Sequence, residues 1–159
     1  MTAELPLIAI TQGDPAGIGP ETIAQVFRDT PDVVRGCLVV GEVATLRRAA
    51  ACIARTGETP LPVACLSAPQ EAAQVPPRCL PVLPLPGLPG PQPWGQVSAE
   101  AGRAAAECVL WAACAALRGE IAALVTAPLH KEALAAAGYD VPGHTELLQA
   151  EAAAHAGVP

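Results

Sequence analysis

Short apolar runs alternate along this chain with stretches that carry helical signals, and no other feature constrains the fold as much. Leu5 to Thr11, Cys37 to Gly41, Leu61 to Leu66 and Ile121 to Val125 read as buried strands. Helices are expected from Pro20 to Arg28, Val43 to Arg55, Val97 to Arg118, Lys131 to Ala137 and Thr145 to His155. Pro20 suits the first helical turn because its missing N–H would be unpaired there anyway. Gly119 and Gly138 stand where glycine commonly closes a helix. Leu46, Ala49, Ala50 and Ile53 share one face of the second helix. Such alternation defines a layered α/β/α fold around a mainly parallel sheet. From Ala68 to Pro93 the chain is dense in proline, which lacks a ladder donor and so permits only short or edge strands, Cys79 to Leu85 among them. Interleaved Leu, Val and Trp need burial and argue against a linker there.

Composition narrows the partners. Hydrophobic residues make up 52% and charged residues 15%, against about 25% charged in a typical soluble domain. Much of the surface is therefore expected to be covered, by another subunit or a further domain. The net charge is −6, and nine Lys and Arg are scattered without a cluster. That argues against nucleic acid, whose phosphates are neutralised by many basic side chains, but leaves room for a small phosphorylated substrate. Six cysteines are present with no C-x-x-C pair and no secretory leader pattern. Reduced thiols acting as small hydrophobes in a cytoplasmic protein are the expectation. No run of 18 apolar residues predicts a membrane span.

Two loops fall where α/β sheets build their sites, at the carboxyl ends of strands. The first, T-Q-G-D-P-A-G-I-G-P-E over residues 11–21, places three glycines near a helix start. Glycines let a backbone approach a ligand closely, and a helix start favours an anion. The same residues equally suit a tight strand-to-helix connection capped by Asp14. Neither the G-x-G-x-x-G fingerprint nor a Walker lysine is present. The second loop runs from Thr126 to Glu146 and carries His130, Lys131, His144 and Thr145. An imidazole, a hydroxyl and free amides at a helix start suit a phosphate or carboxylate. Read alone, they also suit a simple helix cap with Glu146 in the first turn. His155, in an Ala-rich helix, reads as structural or exposed.

Four blocks in order, I-T-Q-G-D-P-A-G-I-G-P-E at 10–21, V-S-A-E-A-G at 97–102, V-T-A-P-L-H-K-E-A at 125–133 and G-H-T-E at 143–146, resemble the N-terminal half of the 4-hydroxythreonine-4-phosphate dehydrogenase family. The resemblance implies a two-domain fold of the isocitrate and isopropylmalate dehydrogenase type, of which residues 1–159 are the N-terminal portion. It implies a homodimer with its active site at the subunit interface. The implied reaction is NAD-dependent oxidation of 4-phosphooxy-L-threonine at C3, then decarboxylation to 3-amino-2-oxopropyl phosphate, in pyridoxal phosphate biosynthesis. A divalent metal (Zn, Mg or Co) would act as Lewis acid. His144 and Thr145 match the family's substrate-contacting pair. The family's metal-binding histidines and most of its cofactor site lie beyond residue 159, as does a further strand of the sheet. The chain alone is thus expected to be inactive. Two other readings follow from the same residues: a family paralogue acting on another four-carbon acid phosphate, and a non-catalytic remnant that binds phosphorylated acids.

Overall fold

The structure, a computed structural model, describes residues 6–157. Five strands, β1 (Ile8–Thr11), β2 (Cys37–Val40), β3 (Val63–Cys65), β4 (Leu80–Leu83) and β5 (Ala123–Thr126), form one sheet in the order β3-β4-β2-β1-β5. Every pairing is parallel. Helices α1 (Gly19–Asp29) and α2 (Val43–Ile53) lie on one face, where Ile23, Phe27, Leu46 and Ala50 pack on Val39, Leu80 and Val82. Helix α3 (Ala99–Leu117) covers the other face, with Cys108, Ala112 and Ala115 against Ala9, Leu38 and Val40. This is the expected layered α/β/α arrangement. Outside α3 lie α4 (Lys131–Ala136) and α5 (His144–Ala156), joined to it by Ala106, Val109, Leu134 and Leu147. Being enclosed on both sides explains why α3 is built from alanine: small side chains let the sheet and two helices approach one helix at once.

Local signals account for the element ends. In α1, Pro20 sits in the first turn and Ile23, Ala24 and Phe27 form the buried stripe; burying side chains as large as Ile23 and Phe27 stabilises by roughly 1.5–3 kcal/mol each. Ser98 caps α3 by accepting from Ala101 N, and Gly119 and Gly138 take positive φ just past α3 and α4. Helix α2 starts with an unusual cap. The Glu42 carboxylate accepts from the amides of Ala44 and Thr45 at 2.8 and 2.6 Å. Removing a cap that satisfies first-turn donors costs about 1 kcal/mol. Glu42→Ala is therefore expected to lower stability by that amount in urea unfolding, and an unchanged midpoint would deny the cap any role.

The structure refines one expectation and corrects two. The expected Cys79–Leu85 strand is short, as its prolines require, spanning only Leu80–Leu83, but it lies inside the sheet between β3 and β2 and not at an edge. The Leu80 amide donates to Pro62 O on the β3 side, so the missing donor of Pro81 falls on the β2 side. There the ladder begins only at Val39↔Val82, and no sheet bond is lost. Second, β5 is an edge strand rather than a buried one: Val125 is 51% exposed because no strand among the described residues lies outside it. Third, of the six cysteines, all free, only Cys108 is buried, while Cys52 and Cys65 are exposed. Burial pushes the Cys108 thiol up to about 12. The expected start of the first strand, Leu5, lies outside the described residues. Among those residues, no helix is long and apolar enough to cross a membrane.

Candidate substrate site

The sheet order brings the two loops together. They follow β1 and β5, which are direct neighbours with Thr11 in register with Thr126. The Asp14 amide donates to Pro128 O at 2.9 Å and the Ala127 amide to Thr11 O at 3.3 Å. Gly13 takes φ +72, and a Cβ on it would stand 2.4 Å from Pro128 O. A Cβ on Gly19 would stand 2.6 Å from Gln12 O and 3.2 Å from the Ala127 methyl. The close approach Gly13 permits is therefore to the neighbouring loop of the same chain, and that of Gly19 is first to Gln12 O within its own loop and then to Ala127. The loop offers no open cradle for a pyrophosphate. Asp14 does not cap α1. Its Oδ1 accepts from Ala16 N at 2.8 Å within the loop, while α1 starts at Ile18 with no side-chain cap.

His144 and Thr145 are the first two residues of α5, which thus begins one residue earlier than the sequence predicts. Gly143 precedes them and no side chain caps the helix start. His144 Nε2 lies 3.1 Å from Ala127 O. A carbonyl only accepts, so Nε2 carries the hydrogen and Nδ1 of the neutral ring remains an acceptor. This contact spans 17 residues of sequence and ties the start of α5 to the loop junction. Thr145 is exposed beside it. Uncapped amides at the positive end of a helix attract an anion, whereas Glu146, in the first turn, opposes one. In 1H–15N correlation spectra, neutral His144 is expected to show the Nε2–H tautomer; the Nδ1–H pattern would contradict this anchoring. His130, Lys131 and His155 take no part in this contact, and Lys131 and His155 are exposed. Among the described residues, no three His, Cys, Asp or Glu side chains stand together as a metal site. The divalent cation implied by the resemblance therefore finds no ligand set in them.

A second set of residues carries no sequence signal. Arg48 of α2 donates through Nη2 to Pro15 O at 2.7 Å and through Nη1 to Gln92 O. Its guanidinium stacks 4.6 Å from the Trp94 ring centroid, a cation–π contact. Trp94 Nε1 donates to Glu21 Oε1 at 3.0 Å, and the Gly95 amide to Ala16 O at 2.8 Å. The end of the proline-rich segment thus straps the glycine loop from outside. Gln12 pins it from within: its Oε1 accepts from Glu42 N at 2.9 Å, and its side chain lies so close to Gly41 that a Cβ there would meet Oε1 at 2.5 Å. Arg48 reaches partners 33 and 44 residues away, contacts that no local pattern encodes.

A parallel sheet with helices on both faces, joined loops at its carboxyl ends and a His-Thr pair opening an uncapped helix beside them define an α/β scaffold of the kind that carries sites at its strand ends. Residues 34–158 match the family of the pyridoxal phosphate biosynthetic protein PdxA, and the chain belongs to that family. It is 40% identical to the 4-hydroxythreonine-4-phosphate dehydrogenase of Trichlorobacter lovleyi over 93% of this chain and 44% of that protein. It is 43% identical to the D-threonate 4-phosphate dehydrogenase of Salmonella typhimurium, over 91% of this chain and 43% of that one. The crystal structure of 4-hydroxythreonine-4-phosphate dehydrogenase from Klebsiella pneumoniae superposes with a TM-score of 0.83 at 39% identity, covering 95% of this chain and 45% of that one. The chain thus spans somewhat under half the length of these relatives.

Proposed function

We propose that this chain is the N-terminal portion of an NAD-dependent dehydrogenase that oxidises 4-phosphooxy-L-threonine at C3, with loss of CO2 yielding 3-amino-2-oxopropyl phosphate, in pyridoxal phosphate biosynthesis. The family and its dehydrogenase relatives support the reaction class. The observation that carries the site is the anchored start of α5: His144 held on Ala127 O with Nδ1 free, beside the exposed Thr145 and uncapped amides. In this reading His144 and Thr145 hold the phosphorylated hydroxy-amino acid. NAD, when bound, would supply the hydride acceptor, and a divalent metal (Zn, Mg or Co) would lower the cost of charge on the substrate oxygen; the residues that would hold the metal and most of the cofactor belong to a second domain. The whole protein is a cytoplasmic homodimer, and the 159 residues alone do not turn over substrate.

A polypeptide joining residues 1–157 of this chain to the remaining half of the Klebsiella relative tests this. It is expected to form NADH with 4-phosphooxy-L-threonine, whereas the short chain forms none. His144→Ala is expected to lower kcat/KM by roughly 10- to 150-fold, the scale of a lost hydrogen bond to a charged group at about 1.5–3 kcal/mol. Undiminished kcat/KM in a folded variant would remove His144 from the site. A second substrate reading is favoured by the 43% identity to the D-threonate 4-phosphate enzyme. Preferential turnover of D-threonate 4-phosphate would replace the substrate and keep the reaction class.

A further inference from the structure

Arg48 leaves α2 toward the glycine loop and the strap. Its Nη2 donates to Pro15 O at 2.7 Å, its Nη1 donates to Gln92 O, and its guanidinium carbon lies 4.6 Å from the centroid of the Trp94 ring. Its Nε is buried without a partner among the described residues, as is Oε2 of Glu21, whose Oε1 accepts from Trp94. Unpaired buried polar atoms cost stability, so packing alone does not account for an arginine here. What arginine supplies is a planar fork that meets two carbonyls at once while its face stacks on an aromatic ring. Lysine reproduces neither.

The carbonyl that this fork holds in the glycine loop is joined to His144. Next to Pro15 stands Asp14, whose amide donates to Pro128 O at 2.9 Å. Next to Pro128 stands Ala127, whose carbonyl lies 3.1 Å from His144 Nε2. Hydrogen bonds and peptide links thus connect Arg48 to His144 without a gap. The path has little slack. The Gly95 amide holds Ala16 O at 2.8 Å, and Asp14 Oδ1 accepts from Ala16 N at 2.8 Å. At Gly13 the two loops are so close that a Cβ would stand 2.4 Å from Pro128 O. A displacement of Pro15 is therefore passed on to the Ala127 carbonyl. Contiguous hydrogen-bonded chains of this kind carry energetic coupling, and a misplacement of about 1 Å can cost on the order of 100-fold in rate.

We propose that Arg48, latched by Trp94, is a positioning residue for the phosphorylated substrate: it sets the glycine loop, and through it the Ala127 carbonyl that orients His144 and presents Nδ1 to the ligand. Arg48 itself touches no substrate. The inference rests on the proposed function for the role of His144, whereas the mechanical link from Arg48 to His144 is independent of any reaction.

Water exchange of the His144 Nε2–H, followed by 1H–15N spectroscopy of this chain, tests the link. Arg48→Lys keeps the charge and loses the fork, and is expected to speed that exchange at least about tenfold. Trp94→Ala removes the latch at a ring that is 55% exposed, outside the core, and is expected to act in the same direction. Arg28→Lys is the control. Arg28 also reaches from its helix to a backbone carbonyl, Ile53 O, but at the far ends of α1 and α2, and its replacement is expected to change the exchange by less than about twofold. In the joined polypeptide, Arg48→Lys is expected to lower kcat/KM by about 2- to 30-fold. Once His144→Ala is in place the same change is expected to cost less than about twofold, because both act on one contact. Unchanged Nε2–H exchange in folded Arg48→Lys or Trp94→Ala chains, an equal change in Arg28→Lys, or kinetic losses that add in full would overturn the proposal. A joined polypeptide without turnover defeats the functional reading alone, and the exchange measurement then decides the link by itself.

Discussion

Gly102→Ala is expected to destabilise the chain by about 3 kcal/mol or more, the upper end of what overpacking costs, and Gly102→Val to leave it largely unfolded. Gly102 sits in the first turn of α3, where α4 crosses. A Cβ there would lie 1.9 Å from Ala133 O, 2.3 Å from Ala133 C and 2.8 Å from Leu134 N. All three are backbone atoms, so no side chain can rotate away and one helix must move. That movement would open the cluster of Ala106, Val109, Leu134 and Leu147 on which α4 and α5 depend. Domains of this kind have about 5–15 kcal/mol in total, so the loss is a large fraction. Urea unfolding measures it, with Gly90→Ala as the control: nothing lies within 4 Å of a Cβ at Gly90. A Gly102→Ala midpoint close to wild type would mean that α4 does not press on α3 as described.

Gly13→Ala is expected to cost nearly as much, by two separable routes. The residue has φ +72, a conformation that costs an L side chain roughly 1–2 kcal/mol. In addition, its Cβ would stand 2.4 Å from Pro128 O and 3.0 Å from the Ala127 methyl. Gly57→Ala isolates the first route, since Gly57 has φ +81 with nothing within 4 Å. The difference between the two variants measures the pressure between the loops. The same variant carries a functional readout. Ala127 offers the carbonyl that holds His144, so Gly13→Ala is expected to perturb the His144 Nε2–H resonance, and Gly57→Ala to leave it alone. Equal stability losses with no change at His144 would show that the two loops are not mechanically joined.

Signals local enough to sit within one turn or one strand are legible in the amino-acid sequence. Pro20 in the first turn of α1, the closing glycines Gly119 and Gly138, and the apolar runs that form β1, β2 and β5 all act on their own neighbours. Their alternation suffices for a layered parallel sheet, because a parallel strand pair demands a crossover of this length. His144 and Thr145 are proposed as substrate contacts only through the resemblance of G-H-T-E; their residue types alone favour a cap.

What is illegible depends on which strands become neighbours. Of the two places its prolines allow, short or edge, β4 takes the first, between β3 and β2, since only the register shows that the ladder to β2 starts after Pro81. Val125 reads as core in the sequence because a strand's exposure depends on whether another strand lies outside it, which no property of the run itself encodes. The glycines at 13 and 19 are legible as a need for space, but what fills it at Gly13 is the loop after β5, brought alongside by the β1–β5 pairing, and at Gly19 chiefly Gln12 O. Arg48, Trp94 and Gln12 carry no pattern at all, because their partners are assembled from distant segments. Sequence by itself determined the elements and the family, through backbone preference, hydrophobic burial and motif order. Tertiary structure alone decided which faces are covered and which carbonyl holds His144, because those follow from the order of strands in the sheet.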